Sequence, residues 1–205
     1  MISSIYESKT KTHANIGEKK LIQDRQKGIQ AEIEEENMHT KVQYLLMKIG
    51  KSLGYDVIVA SNDRTKSYSN EKFSFISLTE FPEIEAGDDV KKTIALIDVI
   101  WFEKATNKLV SAYEVEKSTS IYSGILRLTD LALTIPDSEK ISLYLVAPEQ
   151  REKEIIAQLK RPSLIAKEGN KISYILFSEL CTHCDSICKF GNDHTIMEKV
   201  ARCVK

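Results

Sequence analysis

Residues 93–130 read TIALIDVIWFEKATNKLVSAYEVEKSTSIYSGILRLTD, and the fold turns on this stretch. Two apolar segments, Ala95 to Phe102 and Ser111 to Glu116, flank a polar turn from Lys104 to Lys108. Three carboxylates stand where apolar residues are expected: Asp98 in the first segment, Glu114 and Glu116 in the second. Folded as an antiparallel hairpin centred on Thr106, residues whose numbers sum to 212 lie opposite one another, which sets Asp98 against Glu114. Directly opposed side chains share a face, with Cβ atoms ~5 Å apart. Glu116 is two positions further along and lies on that same face. Three carboxylates crowded on a mostly apolar sheet repel one another and lose hydration, so at least one carboxyl is expected to be raised in pKa unless a cation compensates. Oxygen ligands of this kind suit a hard divalent ion such as Mg²⁺.

Outward from the hairpin, the elements alternate. Before it, Val42, Leu45, Leu46, Ile49 and Leu53 recur at helical spacing, predicting a helix from about Gln30 to Leu53 that Gly54 closes. Tyr55 to Ala60 reads as a strand, Ser61 to Ser77 as a polar loop with a short strand near Phe73 to Ile76, and Gly87-Asp88-Asp89 as another loop. After the hairpin, Ser118 or Thr119 is a suitable N-cap for a helix over about Ile121 to Thr134, which Pro136 stops. Ile141 to Ala147 is a compact apolar strand, Glu149 to Lys160 a charged amphipathic helix and Lys171 to Ser178 the last strand. Glu179 to Phe190 and Thr195 to Val204 read as helical. A hairpin beside strands joined by helical crossovers implies an α/β domain with a mixed sheet flanked by helices. Residues 1–27 are polar and weakly periodic, an arm or loosely packed helix ahead of a single domain over 28–205 that ends in a helical extension.

Composition narrows the class. The 205 residues are 42% hydrophobic, enough for a core, and contain no run long enough to span a membrane. The first residues lack the basic-then-apolar pattern of a secretory signal, so a soluble cytoplasmic protein is expected. With 29 basic against 30 acidic residues the total does not announce a nucleic-acid binder. Basic residues do gather in 1–27 and again at Arg64, Lys66 and Lys72, as solvated surface or as walls of a groove around the acids. Cys181, Cys184, Cys188 and Cys203 lie near His183 and His194, a zinc-like set. The 181, 184, 188 spacing is that of one helical face, and a core-facing helix of free thiols is the preferred reading.

Taken together, the pattern resembles the PD-(D/E)xK nuclease superfamily, the restriction-endonuclease-like fold, over roughly Met38 to Ala147. Asp98 matches the family's first Asp and Glu114 its second acid. Glu116 stands where Lys is usual, a Glu-x-Glu variant found in some restriction enzymes; Lys117 is one residue off and on the opposite sheet face. The resemblance implies a metal-dependent DNA endonuclease of restriction or phage-defence type, with Asp98, Glu114 and Glu116 catalytic. It implies Mg²⁺, with Mn²⁺ able to substitute, on Asp98 and Glu114, joined by Glu36 from the preceding helix. His39 and Gln43, one turn apart, are accessory candidates or simply a helix end meeting solvent. Backbone N–H groups at Ser118 and Thr119, with Arg127, suit a phosphate, although Arg127 pairing with an acid is as good a reading. Arg64 and Lys66, with Asn62, are candidates for contacting double-stranded DNA. The expected assembly is a homodimer or a larger defence complex. The alternative is a non-catalytic nucleic-acid-binding or assembly subunit on the same fold.

Overall fold

The computed structural model describes all residues except 1, 84–86, 118–120, 136–140, 166–171 and 205, with side chains described from residue 20 onward apart from 22 and 165. Two compact units are present, Met1–Met38 and His39–Lys205.

The first unit is helical. Helix α1 (Ile2–Ser52) begins far ahead of Gln30, since residues 20–37 are rich in Lys, Gln and Glu and contain no proline to break it. Its residues from His39 onward belong to the second unit. There Val42, Leu46, Met47 and Ile49 are fully buried, as the apolar spacing requires. Gly54 ends the helix at φ 89°, a left-handed closing position that glycine adopts without strain.

The second unit is built on a five-stranded sheet. The strands are β1 (Asp56–Val59), β4 (Val99–Phe102), β5 (Leu109–Val115), β6 (Ser142–Ala147) and β7 (Ile172–Leu176), in that spatial order. β1, β4 and β5 pair antiparallel, whereas β5, β6 and β7 pair parallel. The sheet is therefore mixed, as expected, because the tight hairpin forces one sense and the helical crossovers force the other. Pairs Val99↔Tyr113, Ile100↔Ala112 and Trp101↔Ser111 all sum to 212, and the register slips only next to the turn, at Phe102↔Leu109. Asn107 at φ 54° turns the chain, with Glu103 N–H donating to the Lys108 carbonyl over 2.8 Å.

Helices cover both faces. On one face, Trp101, Tyr113, Tyr144, Val57 and Val146 pack against α1 residues and against Leu180, Cys184 and Ile187 of α7 (Phe177–Phe190). On the other, Ile100, Ala112, Leu143 and Leu145 pack against α4 (Ile121–Thr134), α5 (Glu152–Leu159) and Ile94 of α3 (Asp88–Ile94). Trp101 is wholly buried, so Trp101→Ala would cost ~3–5 kcal/mol.

Several local expectations are corrected. Phe73–Ile76 is a helical turn, α2, not a strand; a two-stranded ribbon of β2 (Ser67–Tyr68) and β3 (Glu71–Lys72) precedes it. The chain reverses in that ribbon through Ser69 and Asn70, both at positive φ. The stretch from Asp88, expected as loop, is α3: its acids fall in the first turn and its lysines in the last, each favoured by the helix dipole. Glu149–Arg151 is a 3₁₀ turn leading into α5, and α6 (Pro162–Ile165) is a further short helix. Of the final expected helix only the part up to Lys199 is helical, within a 3₁₀ segment, His194–Lys199. Beyond it, Arg202 pairs in backbone with Tyr174. The cysteines lie as the helical spacing suggested, with Cys184 buried and Cys181 and Cys188 half-buried on α7. Burial pushes the Cys184 thiol up to about 12, with Cys188 adding to the effect. No described helix is long and apolar enough to cross a membrane.

Candidate active site

Asp98 lies one residue ahead of β4, and the 212 register extended by one step sets it opposite Glu114. Its carboxylate is buried and well supplied with donors. Val115 N–H donates to Oδ2 over 2.8 Å, Gln43 Nε2 donates to Oδ1 over 2.8 Å, and His39 Nε2 lies 3.3 Å from Oδ1. His39 and Gln43 are themselves buried. The sequence left them between a site and a solvent-facing helix end, and the structure puts them against Asp98.

Glu114 and Glu116 alternate with Val115 at the end of β5 and so point to the same sheet face. That face is crossed by α4, and the crossing decides what each acid can do. Arg127 grips Glu114 through both oxygens, with Nε to Oε1 at 2.8 Å and Nη2 to Oε2 at 2.6 Å. Burial still holds the Glu114 carboxyl well above the usual carboxylate range, with Arg127 opposing the shift and Asp98 adding to it. The same burial, with Asp98 again adding, pushes Glu116 up to about 7, against the pull of Arg151 and Arg127. Glu116 Oε1 is buried with no hydrogen-bond partner among the described residues. It lies against Gly124 of α4, where an added Cβ would come within 2.1 Å of Oε1 and 3.3 Å of Glu114 Cβ. The glycine is what lets the helix pass this close to the two acids.

A fourth acid, Asp63, joins this group without having been singled out in the sequence. It follows β1 in a turn closed by Asp63 N–H donating to the Ala60 carbonyl, and it is buried. Gln43 Nε2 donates to Asp63 Oδ2 over 2.6 Å while also bonding Asp98, and Lys66 Nζ lies 2.8 Å from Asp63 Oδ1. One ligand atom each of His39, Asp63 and Asp98 falls within a mutual 4.8 Å. An imidazole nitrogen and two carboxylates so grouped fit a divalent cation. The only sequence cue was an Asp just past a strand, in Ser61-Asn-Asp-Arg-Thr, which reads like any polar turn.

The basic candidates are engaged internally. Arg64 Nη2 donates to the Leu78 carbonyl over 2.7 Å, Lys66 pairs with Asp63, and Arg127 takes the acid-pairing alternative with Glu114. Arg151, not singled out in the sequence, donates to the Lys117 carbonyl over 2.6 Å. Glu36 is half-buried in the first unit. Ser118 and Thr119, proposed as phosphate donors, lie outside the described residues.

Comparison with known proteins places this chain in a family. Over 159 residues the chain is 26% identical to the type II restriction enzyme NmeDI of Neisseria meningitidis serogroup C, a match that covers 75% of this chain and 45% of that enzyme. The chain thus spans less than half the length of the relative. No solved structure matches it. The family model for the C-terminal domain of type II restriction enzyme NmeDI matches residues 20–203, and the chain belongs to that family.

Proposed function

We propose that this chain is the catalytic domain of a metal-dependent restriction endonuclease that hydrolyses phosphodiester bonds in double-stranded DNA. The observation that carries the reading is the burial together of Asp98, Glu114 and Glu116 on one hairpin, with Gly124 left bare so that α4 can pass over Glu116. An arrangement that leaves a buried carboxylate oxygen without a partner among the described residues costs stability, and such cost is tolerated where function needs the group. The Glu-x-Glu form of the PD-(D/E)xK motif is the corresponding sequence reading. Glu36 enters it on sequence alone, as an acid of α1.

When bound, the cation lowers the pKa of a water and offsets charge on the scissile phosphate. Asp98 would hold it, with Gln43 and the Val115 N–H donating one bond to each of its oxygens and fixing their orientation. Glu116, with a carboxyl near 7, is matched to accept a proton from the attacking water close to neutral pH. As the water oxygen bonds to phosphorus, that proton passes to Glu116 and the phosphorus–oxygen bond to the leaving nucleotide breaks. Arg127 holds Glu114 in place and brings a cation to within reach of the site. Mg²⁺ or Mn²⁺ would serve, and cutting both strands calls for a homodimer or a larger complex.

One observation favours a second reading, a non-catalytic DNA-binding or assembly subunit. Both oxygens of Glu114 are committed to Arg127, which leaves fewer groups for a metal. Plasmid incubated with the protein and Mg²⁺, Mn²⁺ or EDTA separates the two. Metal-dependent conversion of supercoiled DNA, lost in Asp98→Ala while DNA binding persists, is the expected outcome. Binding without cutting under every metal supports the second reading.

A further inference from the structure

The amide of Gln43 occupies an unusual position. It is fully buried, its Nε2 donates at once to Asp63 over 2.6 Å and to Asp98 over 2.8 Å, and its Oε1 has no partner among the described residues. A buried carbonyl oxygen without a donor is costly, and its amide belongs to a group of two carboxylates and an imidazole. The amide plane can turn over about its last torsion at little cost, because that torsion is broad and two-fold and oxygen and nitrogen are alike in size. After such a turn the oxygen points where the nitrogen does now, between Asp63 and Asp98.

We propose that His39, Gln43, Asp63 and Asp98 form a cation site that turns Gln43 from donor to ligand, distinct from the Asp98–Glu114 pair implied by the family resemblance. Without metal, Gln43 Nε2 bridges the two carboxylates and Lys66 Nζ pairs with Asp63. With metal, the cation takes over that task and Gln43 Oε1, Asp63, Asp98 and His39 Nε2 supply four ligands. The ligand atoms of His39, Asp63 and Asp98 lie within 4.8 Å of one another. Opposite ligands at bonds of about 2.1 Å are ~4.2 Å apart, so a small contraction closes the shell. The imidazole sets the preference: Mg²⁺ favours oxygen ligands and its own water, while a borderline divalent ion such as Mn²⁺ accepts mixed nitrogen and oxygen. Four protein ligands leave two octahedral positions for water or a phosphate oxygen, so within the nuclease reading this site deepens the role of Asp98.

Mn²⁺ titrated into the EDTA-treated, dialysed full chain, followed by calorimetry and by the Mn²⁺ paramagnetic resonance signal, tests it. Wild type is expected to bind Mn²⁺ more tightly than Mg²⁺. Asp63→Asn should weaken Mn²⁺ by about tenfold or more. His39→Asn should narrow the Mn²⁺ over Mg²⁺ preference. The variant that separates ligation from mere support is Gln43→Glu, expected to bind Mn²⁺ more tightly than wild type yet melt at a lower temperature in EDTA, since a third carboxylate then replaces the amide that bridges Asp63 and Asp98. Melting curves in EDTA establish that each variant is folded. Mn²⁺ affinity unchanged in both Asp63→Asn and Gln43→Glu overturns the site. Plasmid cleavage measured on the same samples keeps the two readings apart. Cleavage by Asp63→Asn with wild-type Mn²⁺ affinity removes this site and leaves the nuclease, whereas Asp63-dependent Mn²⁺ binding without any cleavage does the reverse.

Discussion

Gly124 and Glu116 are fitted to one another so closely that a methyl group on the glycine would lie 2.1 Å from the carboxylate oxygen Oε1. The contact fixes where α4 can cross the end of β5, and it places the Glu116 carboxyl where water is scarce. Gly124→Ala must therefore move Glu116 or the helix. Overpacking of this kind costs ~1–3 kcal/mol. Displacing a reacting group by an ångström costs on the order of a hundredfold in rate. Thermal melts and plasmid cleavage of Gly124→Ala check both figures, and wild-type cutting by this variant would remove Glu116 from the mechanism.

Glu116 also sets a pH dependence. Its carboxyl is raised to about 7 in the fold, against ~4.3 in an unfolded chain. The folded state therefore binds the proton more tightly. The stabilisation is fully present below the unfolded value and is lost as pH rises through about 7. In EDTA, the melting temperature of wild type should fall between roughly pH 4.5 and pH 7, with Glu114, also raised, adding to the trend. Glu116→Gln should flatten that slope and melt higher than wild type at neutral pH. Identical slopes for the two proteins would show that the carboxyl is hydrated and ordinary.

Asp98 presents the opposite case. Two protein donors, Gln43 Nε2 and the Val115 N–H, face its carboxylate, so Asp98→Asn exchanges an acceptor for an amide that meets a donor. Charge relief at this position is therefore not expected to yield a stabler protein; the carboxylate oxygen lacking a partner among the described residues is on Glu116. Asp98→Asn is expected to melt below wild type in EDTA, and a higher melting temperature would overturn this account of the site.

Arg127 and Glu114 form a two-contact ion pair in which the acid is fully buried. Removing one member strands the other, at a cost of ~3–5 kcal/mol. Arg127→Ala should show that loss in urea unfolding, and Arg127→Lys should recover only part of it, because a single ammonium cannot match the planar fork. A change below 1 kcal/mol in Arg127→Ala would mean that water reaches Glu114.

Nucleic-acid affinity, on the reading proposed, falls steeply with salt as counterions are released. Arg64 is tied to the Leu78 carbonyl, so Arg64→Ala should lower the melting temperature and leave the salt slope nearly unchanged. Lys72 is exposed on the β2–β3 ribbon, and Lys72→Ala should reduce the slope by about one. Slopes measured by fluorescence anisotropy on a labelled duplex distinguish the two residues, and the reverse ranking would move the contact surface away from the ribbon.

The parts of this protein legible in its sequence are those set by short-range rules. Period-two alternation and a turn centred on Thr106 sufficed for the 212 register, and with it the meeting of Asp98 and Glu114, because a hairpin is closed by neighbours in sequence. The 3.6-residue period gave α4 its span and α7 its core-facing Cys184. Short elements escaped the same rules: Phe73–Ile76 alternates too briefly to tell a helical turn from a strand, and α3 is only one turn longer than a capped loop. The tertiary structure alone decided the partners of the acids. Asp63 reaches Asp98 through Gln43, which is 20 positions from one and 55 from the other, and Arg127 reached Glu114 over phosphate only because α4 crosses β5 at a glycine. Sequence periodicity specifies the face on which a side chain lies; which buried charges meet across that face is fixed by how the layers pack, since a buried carboxylate must take whatever donor the packing brings within about 3 Å.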